Sequence, residues 1–248
     1  MAYHIYHNQK IYFDVIGEGE PLLLLHGNTA SSNMFQHLLK LYKDDYKIIL
    51  LDFLGHGKSD RLTQFPTDFW FDQALQVIHF LENQNLGKVN IVGTSGGALV
   101  ALNVALERPD LVNKVVADSF EGEFSLESVA NIAEEDRNQS KQIESAVNFW
   151  QYNHGSDWET IVDHDTRVII EHHNSIGKFF HHDLSELKVP ALLTGSLEDE
   201  YFPDIEATYK SLVQKIKESK MHVFSKGHHP AMDSNAESFA KIVKEFMH

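Results

Sequence analysis

Lys88-Val89-Asn90-Ile91-Val92-Gly93-Thr94-Ser95-Gly96-Gly97-Ala98-Leu99-Val100-Ala101-Leu102 is the stretch that decides the fold. An apolar run typical of a buried strand meets Gly-x-Ser-x-Gly and continues into a helix-forming run. That is the spelling of a nucleophile elbow, a sharp strand-to-helix turn that holds a serine hydroxyl clear of the backbone. Its neighbours must be small, which Gly93 and Gly97 satisfy. The Gly96 N–H opens the helix, where developing negative charge is favoured.

Outward from this stretch, apolar runs and alternation mark further strands. On the N-terminal side these are 3–7, 10–16, the continuous run Leu22–Leu25 and Ile48–Leu51; on the C-terminal side, 112–117, 189–194 and 220–225. Unbroken apolar runs fit strands covered on both faces. Helical spacing is predicted over 34–42 (with Ser32 or Asn33 as N-cap), 67–85, the run after Ser95 up to Pro109, 204–218 and 234–247. Alternating strands and helices imply a mostly parallel eight-stranded α/β sheet with helices on both faces. Residues 120–185 change character: they are polar and helical in pattern, with interspersed aromatics. They are expected to form a helical cap inserted after strand 6, over a core of residues 1–119 and 186–248.

The 248 residues suit one large domain, and 42% hydrophobic residues suffice for a substantial core. There is no cysteine, which excludes disulfides and thiolate chemistry. A net charge of −15 disfavours nucleic acid and anionic membranes as partners. No basic-then-apolar leader and no membrane-length apolar run is visible, so a cytoplasmic protein is expected.

A serine hydroxyl needs a base in hydrogen-bond reach, and the base an orienting carboxylate. In this architecture both follow later strands, in the order serine, acid, histidine. The loop after 220–225 offers His228, preceded by the flexible Gly227, with His229 as runner-up. The loop after 189–194 offers Asp199, with Glu198 next. Asp118, at the end of the strand after the elbow, is a third candidate acid. For the oxyanion, backbone N–H groups of Gly96 and of Asn28, in the loop after Leu22–Leu25, are the natural donors. His26 is expected to organise that loop.

His26-Gly27-Asn28, Asp52-x-x-Gly55-His56-Gly57-x-Ser59, Gly93-Thr94-Ser95-Gly96-Gly97, Gly195 with Asp199, and Gly227-His228 together resemble the α/β-hydrolase fold superfamily, in its small single-cap serine hydrolase or esterase form. The resemblance runs over nearly the whole chain. It implies a triad of Ser95, Asp199 and His228, with Asn28 and Gly96 at the oxyanion hole. The family's acid usually stands three residues after the loop glycine, a spacing that lands on Glu198; Asp199 needs one residue more but keeps the following Tyr-Phe-Pro in register. The Asp52–Ser59 segment is implied to be structural. His26-Gly27-Asn28 also resembles the haloalkane dehalogenase loop, but dehalogenases and epoxide hydrolases use an aspartate where Ser95 stands.

The expected activity is cleavage of a small-molecule carboxylic ester through an acyl-enzyme, with no metal or organic cofactor. Thioesterase, C–C hydrolase or acyltransferase chemistry, or non-catalytic binding of a small molecule, would use the same scaffold. Phe120, Glu121, Phe149 and Trp150 are candidate pocket residues. The chain's sixteen histidines include His154, His164, His172, His173, His181 and His182 in the insertion. Adjacent pairs diverge on a helix, so these are expected to form a solvated surface rather than a metal site.

Overall fold

The computed structural model describes residues 2–248. Eight strands form one sheet in the order β1-β2-β4-β3-β5-β6-β7-β8. They are β1 (Ala2–Tyr6), β2 (Gln9–Ile16), β3 (Glu20–Leu25), β4 (Tyr46–Leu51), β5 (Val89–Thr94), β6 (Val112–Asp118), β7 (Ala191–Ser196) and β8 (Ser219–Phe224). The β1–β2 and β2–β4 pairs are antiparallel; every pair from β4 through β8 is parallel. The helices are α1 (Phe69–Gln84), α2 (Gly96–Glu107), α3 (Glu127–Ser140), α4 (Glu144–His154), α5 (Trp158–Ser175), α6 (Ile205–Lys215), α7 (Ala231–Ser234) and α8 (Ala236–Met247).

The two-residue period of a strand sorts its side chains onto two faces. Leu23, Leu25, Ile49, Leu51 and Ile91 join one core with α1 and α2, through Val77, Phe80, Ala98 and Leu102. Leu22, Leu24, Ile48, Leu50 and Val92 face the other core, closed by Phe239 and Val243 of α8 and by Phe35 and Leu38. The runs Leu22–Leu25 and Ile48–Leu51 are therefore apolar at every position because helices or loops cover both sides. α3, α4 and α5 all lie between β6 and β7, inside the stretch expected to form the insertion.

One predicted helix is absent. Residues 34–42 fold instead as two 3₁₀ turns, Ser32–Phe35 and Leu39–Leu41. Phe35, Leu38 and Tyr42 are buried as the periodicity implied. The second turn ends at Leu41 and β4 begins at Tyr46, and Ser31, not Ser32 or Asn33, caps the first turn by accepting from the Asn33 N–H. Side-chain burial is met with short turns, so the apolar spacing did not require a continuous helix.

Candidate active site

The parallel strands end on one edge, where α/β sheets place their sites. Ser95 stands there between β5 and α2, at φ 55° and ψ −127°, a conformation costly for any residue with a side chain. The surrounding chain enforces it. A Cβ on Gly93 would collide with the Gly97 carbonyl, and one on Gly97 with the Leu25 carbonyl. The Ser95 N–H is tied to the Asp118 carbonyl at 2.7 Å. The elbow read from sequence is thus built, strain included.

The base position is held by His229, not His228. The Ser95 Oγ lies 2.9 Å from His229 Nε2, and His229 Nδ1 lies 2.9 Å from Asp199 Oδ2. A carboxylate only accepts, so Nδ1 carries the proton and Nε2 accepts from the serine hydroxyl. Tyr201 and Phe202 pack edge-on against the His229 ring. His228 points outward with its side chain 80% exposed, 3.5 Å from Glu200.

The expectation for His228 fails on register. The Ala231 N–H donates to Ser119 Oγ and the Met232 N–H to Asp118 Oδ2, pinning the start of α7 onto the end of β6. The His229 N–H donates to Glu200 Oε2. With those three backbone groups fixed, the side chain immediately before Pro230 faces Ser95. Proline also biases the residue before it towards extended backbone, a sequence signal favouring His229 that the Gly-His spacing obscured.

Of the three adjacent carboxylates, Asp199 faces the histidine and is buried. Its Oδ1 accepts from the Tyr201 and Phe202 N–H groups at 3.0 and 3.2 Å, which fixes the carboxylate plane. Glu198 instead accepts from the Gly227 N–H. Asp118 is fully buried and accepts from Thr94 Oγ1, Thr194 Oγ1 and the Met232 N–H. Burial pushes its pKa up to about 6. It braces the strand ends and α7 and does not contact the His229 ring through a hydrogen bond.

Asn28 and Gly96 meet at the serine. The Asn28 side chain is occupied at both ends: Nδ2 donates to Asp165 Oδ1 at 2.5 Å, and Oδ1 accepts from Trp70 Nε1 at 3.1 Å. Its backbone N–H is the group free of that arrangement. Gly96 opens α2, where the first N–H groups have no intrahelical acceptor. A Cβ on Gly96 would run into the Asn28 side chain. His26 organises the loop as expected: its Nε2 accepts from the Phe53 N–H and its Nδ1 sits 2.8 Å from the Gly27 carbonyl.

Sequence reasoning missed the carboxylate that holds this loop. Asp165 of α5 is fully buried and accepts from the Thr29 N–H at 2.6 Å, from Asn28 Nδ2, and from His56 Nε2 at 2.8 Å. Burial alone would raise its pKa, but His56, the Thr29 N–H and Asn28 outweigh it and hold the carboxyl below its ordinary value. Thr29 itself sits at φ 54°. The available signal was a charged residue on the apolar stripe Ile161, Asp165, Val168, His172 of an amphipathic helix, all four of them buried.

The histidines of the insertion are not all surface residues. His154 is buried, its Nε2 3.0 Å from the Thr29 carbonyl while Nδ1 accepts from the Gly57 N–H. Burial, reinforced by the nearby His56, lowers its pKa to about 4, so it is neutral at pH 7. His172 is buried with its ring stacked on Phe179. His181 and His182 are exposed, as expected. No group of three or more metal-ligating side chains converges among the described residues.

A cavity of about 610 Å³ opens onto Ser95, Gly96 and His229, a volume suited to a small molecule. Phe120, Glu121 and Phe149 line it as anticipated, joined by Trp70, Leu99, Ile132 and Tyr201. Trp150 does not. It is buried and stacks on Trp158 at 5.4 Å, joining α4 to α5. Burial pushes the Glu121 pKa up to about 7, against the Leu126 N–H that it accepts.

Residues 20–152 match the family described as alpha/beta hydrolase fold. The chain belongs to that family. It is similar to (E)-2-((N-methylformamido)methylene)succinate hydrolase of Acinetobacter baylyi, at 36% identity over 109 residues, which is 44% of this chain and 40% of that protein. It is also similar to the mouse (Mus musculus) protein named Serine hydrolase BPHL, at 26% identity across 96% of this chain and 82% of that one. Among solved structures, the enol-lactonase from Burkholderia xenovorans LB400 superimposes with a TM-score of 0.77 at 15% identity, covering 99% of both chains. That likeness is one of fold. No helix among the described residues is long and apolar enough to cross a membrane.

Proposed function

We propose that the protein is a serine hydrolase that cleaves small carboxylic esters through an acyl-enzyme. The observation carrying this reading is the continuous relay Ser95 Oγ, His229, Asp199, with both links at 2.9 Å. His229 Nε2 takes the serine proton as Oγ attacks the ester carbonyl. The charge that develops on the carbonyl oxygen is met by the N–H groups of Asn28 and Gly96, fixed in place before reaction. His229 then protonates the leaving alcohol. Water enters, gives its proton to the same nitrogen, and frees the acid and Ser95. Asp199 holds the imidazole tautomer and stabilises its cation. No step calls for a metal or organic cofactor.

Helices α3–α5 serve as a cap in this reading, with Val129, Ile132 and Phe149 lining the cavity that holds Ser95 and His229. The relation to proteins named as hydrolases supports hydrolysis in general; ester choice rests on serine chemistry in a mostly apolar cavity. A series of 4-nitrophenyl esters of increasing acyl length tests it. Turnover that rises and then falls with length, and vanishes in Ser95→Ala, is expected. Absence of turnover across the series, with thioesters or vinylogous diketones cleaved instead, would replace ester by another acyl class on the same triad.

A further inference from the structure

The cavity wall carries one guanidinium that the protein satisfies only in part. Arg137 of α3 lines the same cavity as Ser95 and His229. Its Nε is buried without a hydrogen-bond partner. The carboxylate beside it belongs to Asp136, its neighbour in sequence, at 3.4 Å from Nη1. That is well beyond the roughly 2.7–2.9 Å of a charge-assisted hydrogen bond, and adjacent helical residues do not face each other. The other close group is the Tyr201 phenol, which shares a side-chain hydrogen bond with Arg137 but is neutral and offers no opposite charge; burial raises its pKa and Arg137 opposes the rise.

Two other arginines show what the chain does with a guanidinium it means to satisfy. Arg61 grips Asp157 through Nε and Nη2 and donates to three carbonyls besides. Arg108 grips Asp110 through Nε and Nη2 and also reaches Glu82. Arg137, with a side chain only 20% exposed, has no such fork. A guanidinium shielded from water with its Nε unpaired is costly, and a planar carboxylate fits that unused edge.

The cavity's remaining carboxylates do not answer that charge. Asp233 pairs with His37. Glu200 accepts from the His229 N–H. Glu121 accepts from the Leu126 N–H, and burial raises its pKa to about 7, so it carries only part of a charge at neutral pH.

We propose that Arg137 is the anchor for a carboxylate on the substrate, so that the site selects negatively charged esters over neutral or cationic ones. This rests on the ester-hydrolase reading, because the anchor and the nucleophile share one cavity.

Matched substrates test it. One pair places the charge in the acyl half: 4-nitrophenyl hydrogen adipate against its neutral amide, 4-nitrophenyl adipamate. A second places it in the alcohol half: 4-carboxyphenyl hexanoate against 4-carbamoylphenyl hexanoate. The parent enzyme should favour the anionic member of one pair by about tenfold or more in kcat/KM, the scale of a charge-assisted contact. Arg137→Gln should bring that ratio to near one, with the change falling on KM. Arg137→Lys, which keeps the charge but loses the fork, should retain part of it and covers the case in which the glutamine variant does not fold.

Equal turnover within both pairs, a preference that survives Arg137→Gln, or faster cleavage of 4-nitrophenyl 6-aminohexanoate would overturn the proposal. If no ester is cleaved, calorimetric titration of adipate into the parent and Arg137→Gln proteins decides: binding weakened about tenfold or more in the variant supports the anchor, and no binding or equal binding removes it. Labelling of Ser95 by a fluorophosphonate reports separately on the hydrolase reading, so the two can fail independently.

Discussion

Asp165→Asn is a substitution of one atom that should damage both stability and catalysis. The native carboxylate meets three donors: Oδ1 accepts from Asn28 Nδ2, and Oδ2 from the Thr29 N–H and His56 Nε2. An asparagine has one acceptor oxygen and one donor group. If its oxygen replaces Oδ2, its NH₂ confronts the Asn28 NH₂. Turning Asn28 over would relieve that clash and break the Trp70 bond to Asn28 Oδ1. If its oxygen replaces Oδ1, two donors are orphaned instead. Removing a fully buried charge from such a cluster costs about 3–5 kcal/mol when one partner is deleted. Asparagine keeps the shape and some of the bonds, so about 3 kcal/mol is expected, a drop in Tm of roughly 6–12 °C for a chain of this size. The same change releases the loop that carries the Asn28 N–H, and loss of one oxyanion donor costs about 10²–10³ in kcat. The assay is thermal unfolding by circular dichroism alongside kcat for a 4-nitrophenyl ester, measured below the variant's transition. Asp157→Asn is the control: its pair with Arg61 is partly exposed, and such pairs contribute at most about 1 kcal/mol. An Asp165→Asn protein as stable as the control would refute the energetic reasoning. Lost stability with unchanged kcat would refute the link to the oxyanion loop.

Further expectations follow from the site. His229→Ala should abolish ester turnover while His228→Ala stays near the parent, and the opposite pattern would return the base to the preceding residue. Asp199→Asn should lower kcat by a factor on the order of 10³–10⁴ through the wrong imidazole tautomer; Glu198→Gln, which only weakens a contact to the Gly227 N–H, should lose far less. Glu121 has a folded pKa of about 7, above the ordinary 4.5. The folded protein therefore holds a proton that the unfolded chain releases, and stability falls as pH rises from 4.5 through 7. Glu121→Gln, fixed in the neutral form, should raise Tm over the parent at pH 8 and not at pH 4, and equal shifts at both pH values would contradict the assignment.

Features set by local contacts are legible in the sequence. Leu22–Leu25 and Ile48–Leu51 announce doubly covered strands because each residue must be apolar there. The elbow is legible because its spelling is local, with Gly93 demanded by the Gly97 carbonyl four residues on, although Gly97 itself is demanded by the Leu25 carbonyl of β3. The choice between His228 and His229 is not legible locally because the register is set from far away, by Ser119 and Asp118 holding the N–H groups of Ala231 and Met232 across 112 and 114 residues. Asp165 was missed for the same reason: its partners Asn28 and Thr29 lie 137 and 136 residues earlier. Trp150 and His154 show the limit of composition. An aromatic and a histidine in a polar helical insertion look like pocket and surface, yet one is stacked between helices and the other buried against the Asn28–Thr29 loop.

The most direct test of the account is the intact mass of the protein after exposure to a fluorophosphonate, followed by peptide mapping. The account requires a single adduct on Ser95, formed in the parent and in His228→Ala but slowed severely in His229→Ala. An unlabelled Ser95 in the folded parent protein, or labelling that depends on His228 rather than His229, would contradict it.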